Sequence, residues 1–192
     1  DKGKFSLEGK DYQLTINNGI NTLHGGTTGF QYQKWSLNKN NDSTLVCTLV
    51  SPDGDNGFPG QLNAKVIYSL TKNNELSMEY EAETDKTTVV NLTNHAFFNL
   101  NGKGTILNHT LQINADHYLP IDSTLIPFGK QESVKNTAFD FTLAKAIGLN
   151  IDEKNDQLAY GKGYDHNFII NPNESKPVAT VLGDQSGIEM KI

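Results

Sequence analysis

Three of the five histidines stand in windows where an imidazole could meet a polar ligand. His24 lies in Leu23-His24-Gly25-Gly26-Thr27-Thr28-Gly29-Phe30. Glycines there permit close backbone approach and positive φ, which would hold the imidazole at a loop surface. A glycine-rich turn carrying a solvated histidine accounts for the window equally well. His95 lies in Asn91-Leu92-Thr93-Asn94-His95-Ala96-Phe97-Phe98-Asn99-Leu100, among three Asn and one Thr. Amide side chains can orient an imidazole and bond sugar hydroxyls. The rings of Phe97 and Phe98 offer a flat apolar surface to the C–H face of a sugar. A core histidine satisfied by its neighbours is an equal alternative. The third window is Gly163-Tyr164-Asp165-His166-Asn167-Phe168. Asp165 precedes an apolar strand, so it belongs at a sheet rim, where a carboxylate could accept bonds from adjacent hydroxyls. On spacing alone, a loop-to-strand turn with a local Asx bond is the preferred reading.

Other chemistries find no support. No pair of histidines has zincin spacing and no His/Cys cluster occurs, so no metal ligand set is assigned. Gly161-Lys162-Gly163 is too short for a phosphate loop, and no Gly-x-Ser-x-Gly elbow is present. Asp53 and Asp55 sit two apart in the dense loop Ser51–Gly60, but an EF-hand needs a carboxylate at the position held by Ala64. That loop reads as a tight Gly/Pro turn. Cys47, the only cysteine, lies in the apolar run Leu45–Val50 and reads as a small core residue, not a nucleophile.

The chain has 192 residues, which suggests one domain on the prior of roughly 150 residues per domain. Hydrophobic residues make up 36% and charged residues 20%, the usage of a globular protein. All 16 basic residues are Lys, against 22 acidic ones, for a net charge of -6. Nucleic acid is therefore not expected as a partner, because phosphate backbones select clustered positive charge. No apolar run is long enough for a membrane span, and no targeting leader is visible at Asp1. The compartment, cytoplasmic or periplasmic, stays open. The sequons at Asn41, Asn91, Asn108 and Asn173 are attributed to the abundance of Asn.

The elements that must carry these windows are strands. Leu62, Ala64, Val66, Tyr68 and Leu70 alternate with more polar neighbours, and so do Leu76, Met78, Tyr80 and Ala82. With the link Thr71–Asn74 they predict an antiparallel hairpin with one buried face. Glu79, Glu81, Glu83 and Asp85 then form a solvated face. Phe5 and Leu7, followed by Tyr12, Leu14 and Ile16, predict a second hairpin. Further strands are expected at Leu45–Val50, Thr87–Leu92, Thr110–Ile113, Phe168–Ile170, Val178–Leu182 and Ile188–Ile192. Helix is expected only at Leu143–Ile147 and near Asp156–Tyr160. Many short strands with Gly, Asn and Pro links argue an all-β fold, an antiparallel sandwich or barrel.

Taken in order, the three windows, the Ser51–Gly60 loop and the segment Asn136–Gly148 resemble the aldose 1-epimerase (galactose mutarotase) family. The resemblance spans almost the whole chain and rests on four separate motifs in sequence, the three windows and the loop, with Asn136–Gly148 as a further segment. It implies a large antiparallel β-sandwich of the mutarotase type, of which residues 1–192 would form the central part of a single domain, incomplete at both ends. It also implies interconversion of the α and β anomers of free aldohexoses such as galactose and glucose, with a monosaccharide as partner and a monomeric intact enzyme. By the same resemblance His95 takes the role of catalytic acid. His24, Asp165, Asn94 and Phe97 correspond to sugar-binding positions. No cofactor is required; a bound calcium is compatible with such proteins, but no residue pattern specifies one.

Two departures from the family pattern matter. The position two after His95 is usually Tyr and is Phe97 here, so a hydrogen bond is lost while the flat ring stays. The family's catalytic Glu, in a Glu-Pro type context, has no counterpart among residues 1–192, and neither does its arginine segment. The expectation is that this chain alone is nearly inactive and pairs with the segments it lacks. The rival readings are a non-catalytic carbohydrate-binding sandwich and, last, a glycoside hydrolase, for which no carboxylate pair is evident.

Overall fold

The computed structural model describes residues 1–172 and 177–192, so the Asn173 sequon and Glu174 lie outside the described residues. Among the described residues its regular structure is antiparallel strands with one short α-helix and three 3-10 turns, the all-β class expected. Its contacts gather in two compact units, Asp1–Asn94 and His95–Ile192.

In the first unit, β1 (Lys4–Leu7) and β2 (Lys10–Gln13) form a hairpin through Glu8-Gly9. Phe5 faces Tyr12 with ring centroids 5.1 Å apart. The unit's main sheet runs β3-β4-β5-β6, from β3 (Ser36–Asn41), β4 (Thr44–Ser51), β5 (Leu62–Leu70) and β6 (Leu76–Thr84). The register pairs Cys47 with Val66 and Val66 with Tyr80, and Leu49 with Ala64 and Ala64 with Ala82. The alternating apolar residues of three strands therefore share one face, as the period-two pattern requires. Cys47, Leu62, Ala64 and Val66 are buried on it. The buried face was expected to extend through the second strand of the hairpin, and it does not: Leu76, Met78 and Tyr80 remain 53%, 36% and 36% exposed. A strand with one hydrogen-bonded neighbour is screened on one flank only, which leaves the outer side chains open. Glu79, Glu81 and Glu83 point to the opposite, solvated face, where Lys65 pairs with Glu81 at 2.5 Å.

In the second unit, β7 (Thr110–Ile113), β8 (Ala115–Tyr118), β9 (Glu132–Ser133), β10 (Lys145–Ala146), β11 (Phe168–Ile170), β12 (Ala179–Leu182) and β13 (Glu189–Lys191) make two sheets, ordered β10-β7-β12-β13 and β11-β8-β9. The core packs Tyr118, Val134, Ala138, Phe139 and Leu158, with Tyr164 and Phe168 against it. Tyr118 stacks on Phe139 at 4.5 Å and 9°. Leu158 comes from the one helix, α1 (Asp156–Gly161). Asn155 caps α1 by accepting from the amides of Gln157 and Leu158, and Lys162 ends it in the left-handed region at φ 54°.

Several expectations are corrected. Thr87–Leu92 forms no strand; it pairs with nothing in a ladder, and Val89 and Val90 stay exposed, so apolar content alone did not recruit a neighbour. Leu143–Ile147 forms no α-helix; a 3-10 turn begins only at its last residue. Five residues are too few to nucleate a helix unaided, and Lys145 and Ala146 instead pair with Leu111 and Thr110 as β10. The second strand of the first hairpin stops at Gln13, before Leu14 and Ile16. Besides β10, three strands went unforeseen: β3, β8 and β9. The segment Ser36–Asn41 is exposed throughout, polar apart from Leu37, and carries no periodic signal, so only its pairing with β4 makes it a strand.

Candidate functional site

The first unit holds His24 and Asn94. His24 is exposed and adopts φ 50°. Its loop is closed by the Gly26 amide donating to Leu23 O and the Gly29 amide donating to Gly26 O. Asn56 ties this loop to the dense loop Ser51–Gly60, since its Nδ2 donates to Thr28 Oγ1 at 2.8 Å. Two of the separate sequence windows thus meet. Gly57 explains the glycine content of the second loop. Its φ is 90°, and a Cβ there would stand 2.2 Å from the carbonyl oxygen of Gln13. The backbones approach this closely because the Thr15 amide donates to Asn56 O.

The loop's carboxylates are occupied within the protein. Asp53 accepts from the Gly60 amide at 2.6 Å and pairs with Lys86. The Lys86 ammonium, followed by the Gly60 amide, holds the Asp53 carboxyl below its usual range. Asp55 accepts from Ser51 Oγ at 2.8 Å and from Asn56 Nδ2 at 2.9 Å. Among the described residues no group of three or more His, Cys, Asp and Glu could hold a metal ion. Asn94 Nδ2 donates to Tyr68 Oη at 3.1 Å, which orients the amide from β5.

The second unit holds His95, Phe97 and Asp165. The His95 and Phe97 rings are in contact, with centroids 4.7 Å apart and planes at 40°. Phe97 is 89% exposed, so its face is presented outward beside an imidazole. Asp165 is exposed at the entry to β11, and its backbone amide donates to His166 Nδ1 at 3.3 Å.

His166 shares the third sequence window with Asp165, and no role is assigned to it from the sequence. It packs edge-on against Tyr118 and Phe139, at 5.6 Å and 4.6 Å between ring centroids. Its Nε2 lies 3.2 Å from Gln157 Oε1. Burial pushes its pKa below 6.5, and the Asp165 carboxylate opposes that shift. The signal was present in the sequence: an Asp-His pair just before an apolar strand. What it lacked was the aromatic seat, which is assembled from Tyr118 and Phe139 far away in the chain.

Each unit by itself presents groups able to meet a hydroxylated ligand: His24 and Asn94 in the first, His95, Phe97 and Asp165 in the second. A family model described as aldose 1-epimerase matches residues 1–192. The aldose 1-epimerase of Escherichia coli K12 is 40% identical over 192 residues, which cover 98% of this chain and 55% of that protein. The galactose mutarotase of Bos taurus is 42% identical over 177 residues, 91% of this chain and 50% of that one. Among solved structures, galactose 1-epimerase from Lactobacillus acidophilus superposes with a TM-score of 0.86 at 35% identity, over 94% of this chain and 54% of that one. The chain belongs to the aldose 1-epimerase family. It spans about half the length of the relatives it matches.

Proposed function

We propose that the protein interconverts the α and β anomers of free aldohexoses such as galactose and glucose. Membership of the family supports this reading. The observation that carries it is the His95–Phe97 pair, an imidazole 4.7 Å from an outward-facing aromatic ring. The ring takes the C–H face of a pyranose, and the imidazole meets its oxygens. An acid gives a proton to the ring oxygen while a base removes the proton of the anomeric hydroxyl. The bond from C1 to the ring oxygen breaks, the open-chain aldehyde turns about C1–C2, and closure from the other face returns both protons. No electrons leave the sugar, so the chemistry balances without a redox cofactor.

His95 is the acid in this reading, since imidazole changes charge near neutral pH. His24, Asp165, Asn94 and Phe97 bind the sugar. A second candidate for the acid is His166, whose ring is oriented by Gln157. Burial lowers its pKa, so it would give up a proton as an imidazolium only on the acid side of 6.5. The base is a carboxylate that lies in no motif of residues 1–192, and the 192-residue chain alone turns sugar over slowly. Polarimetry of freshly dissolved α-glucose with the full-length protein tests the proposal. Faster approach to anomeric equilibrium supports it. Sugar binding without acceleration would make the protein a carbohydrate-binding sandwich instead.

A further inference from the structure

His109 is the largest polar side chain fully enclosed in the structure, at 1% exposure, and the proposed chemistry does not use it. It sits one residue before β7, where its own carbonyl accepts from the Ile147 amide and its amide donates to Ile106 O. Its Nε2 accepts from the Leu100 backbone amide at 3.1 Å. An accepting Nε2 carries a lone pair, so the ring proton resides on Nδ1. Nδ1 stands 3.3 Å from Asp184 Oδ1, close but not aligned as a hydrogen bond.

Asp184 is not alone at that contact. Its Oδ1 accepts from Asn101 Nδ2 at 2.9 Å, and Asn101 Oδ1 accepts from the amides of Gln185 and Ser186. The turn between β12 and β13 is thereby fastened to the residues that directly follow the His95 segment. Gly183 permits the approach: a Cβ there would lie 3.0 Å from Leu100 Cβ, 3.0 Å from Asn101 Oδ1 and 2.5 Å from Ser186 Oγ. On the other side, Asn99 closes its own loop by donating to the carbonyls of Lys103 and Gly104 and accepting from the Asn101 amide. An enclosed side chain whose only role was to fill space would be apolar, because burying an imidazole costs desolvation. Here Nε2 is bonded to a loop amide, and Nδ1 stands beside a turn carboxylate without an aligned bond to it.

We propose that His109 is a positioning residue: as the Nδ1–H tautomer, enclosed beside Asp184, it holds Leu100 through Nε2 and so fixes the segment carrying His95 and Phe97. Its effect on turnover rests on the reading that this segment acts on the sugar. The clamp itself does not depend on that reading.

The test is made on the full-length protein. Nitrogen-15 NMR of labelled histidine should show His109 protonated at Nδ1 alone, and the Leu100 amide should exchange slowly. His109→Phe keeps the ring volume and loses both nitrogens; it should lose the Leu100 protection and lower kcat by about 10- to 100-fold, the scale of a small misplacement of a reacting group, with KM nearly unchanged. His109→Gln, whose Oε1 can reach the same amide, should restore both readouts. An Nε2–H tautomer, an imidazolium, or native kcat in a folded His109→Phe would overturn the proposal. If His109→Phe does not fold, the wild-type tautomer and the Leu100 exchange rate decide the matter. If the wild-type protein accelerates no anomerisation, the functional reading falls, while the tautomer and the amide protection still decide the clamp.

Discussion

The side-chain oxygen of Gln157 lies 3.2 Å from His166 Nε2 and at the same time accepts the Ile121 amide at 2.7 Å. Gln157 Nε2 in turn donates to Ile121 O at 2.9 Å, so the amide cannot flip without breaking both backbone bonds. An oxygen held in this way can only accept. His166 must therefore donate through Nε2, and its Nδ1 accepts from the Asp165 amide. The helix α1 and the strand edge at Asp165 thus impose one tautomer on an imidazole seated on the aromatic core.

The titration of His166 should have its midpoint below 6.5, because burial disfavours the imidazolium. The sign for stability follows. The unfolded chain takes up the proton at the higher pH, so the contribution of His166 is full above 6.5 and declines as the pH falls toward the folded-state pKa. Proton NMR of the imidazole gives the midpoint. Urea midpoints at neutral and mildly acidic pH give the slope, and His166→Gln should flatten it. A midpoint above 6.5 would contradict the burial argument.

His95→Ala in the full-length protein should lower kcat by roughly 100-fold or more, the scale of a positioned acid, without unfolding the protein. The same change at His166 serves as the comparison. If His166→Ala loses the larger share and His95→Ala mainly raises KM, the acid is His166 and His95 binds the sugar. Saturation kinetics by polarimetry separates the two.

Asp165 is exposed, and no pull on a proton in flight is assigned to it. Asp165→Asn should chiefly raise KM for the sugar while leaving the shape of the kcat–pH profile in place. A displaced profile would mean that the carboxylate takes part in proton transfer, since that profile reports acid and base groups in the bound complex.

Gly57→Ala tests the close approach of the Ser51–Gly60 loop to the end of β2. A Cβ would stand 2.2 Å from Gln13 O, and the backbone there has φ 90°. Strained backbone alone costs about 1–3 kcal/mol, and relief of the clash adds to it. Chemical denaturation should show that loss, together with faster exchange of the Thr15 amide, whose acceptor is Asn56 O. Unchanged stability would place the loop's anchoring elsewhere.

Phe139→Ala should destabilise the second unit by about 3–5 kcal/mol, the usual loss for a buried aromatic. Phe139 is fully enclosed, and it stacks on Tyr118 and supports His166. A folded variant should therefore also show His166 titrating closer to 6.5, because the ring that desolvates it is gone.

The hairpin Leu62–Thr84 was legible because its side chains alternate, and a two-residue period needs no partner to be seen. The class of fold and the family were legible for a related reason: His24, His95 and Asp165 sit in short windows whose residue types are local facts. Pairing is different. The strand Ser36–Asn41 has no apolar pattern and exists only because β4 offers it a ladder, whereas Thr87–Leu92 has the apolar pattern and no ladder partner. Hydrogen bonds between strands join residues distant along the chain, so composition within a window cannot report them. The environment of each imidazole belongs to the same class of fact. His109 looks ordinary in sequence and His166 only shares a window with Asp165, yet one is enclosed between Leu100 and Asp184, and the other is seated on Tyr118 and Phe139 with its tautomer set by Gln157. Burial and hydrogen-bond direction arise from tertiary packing, and those two quantities decide which nitrogen carries the proton.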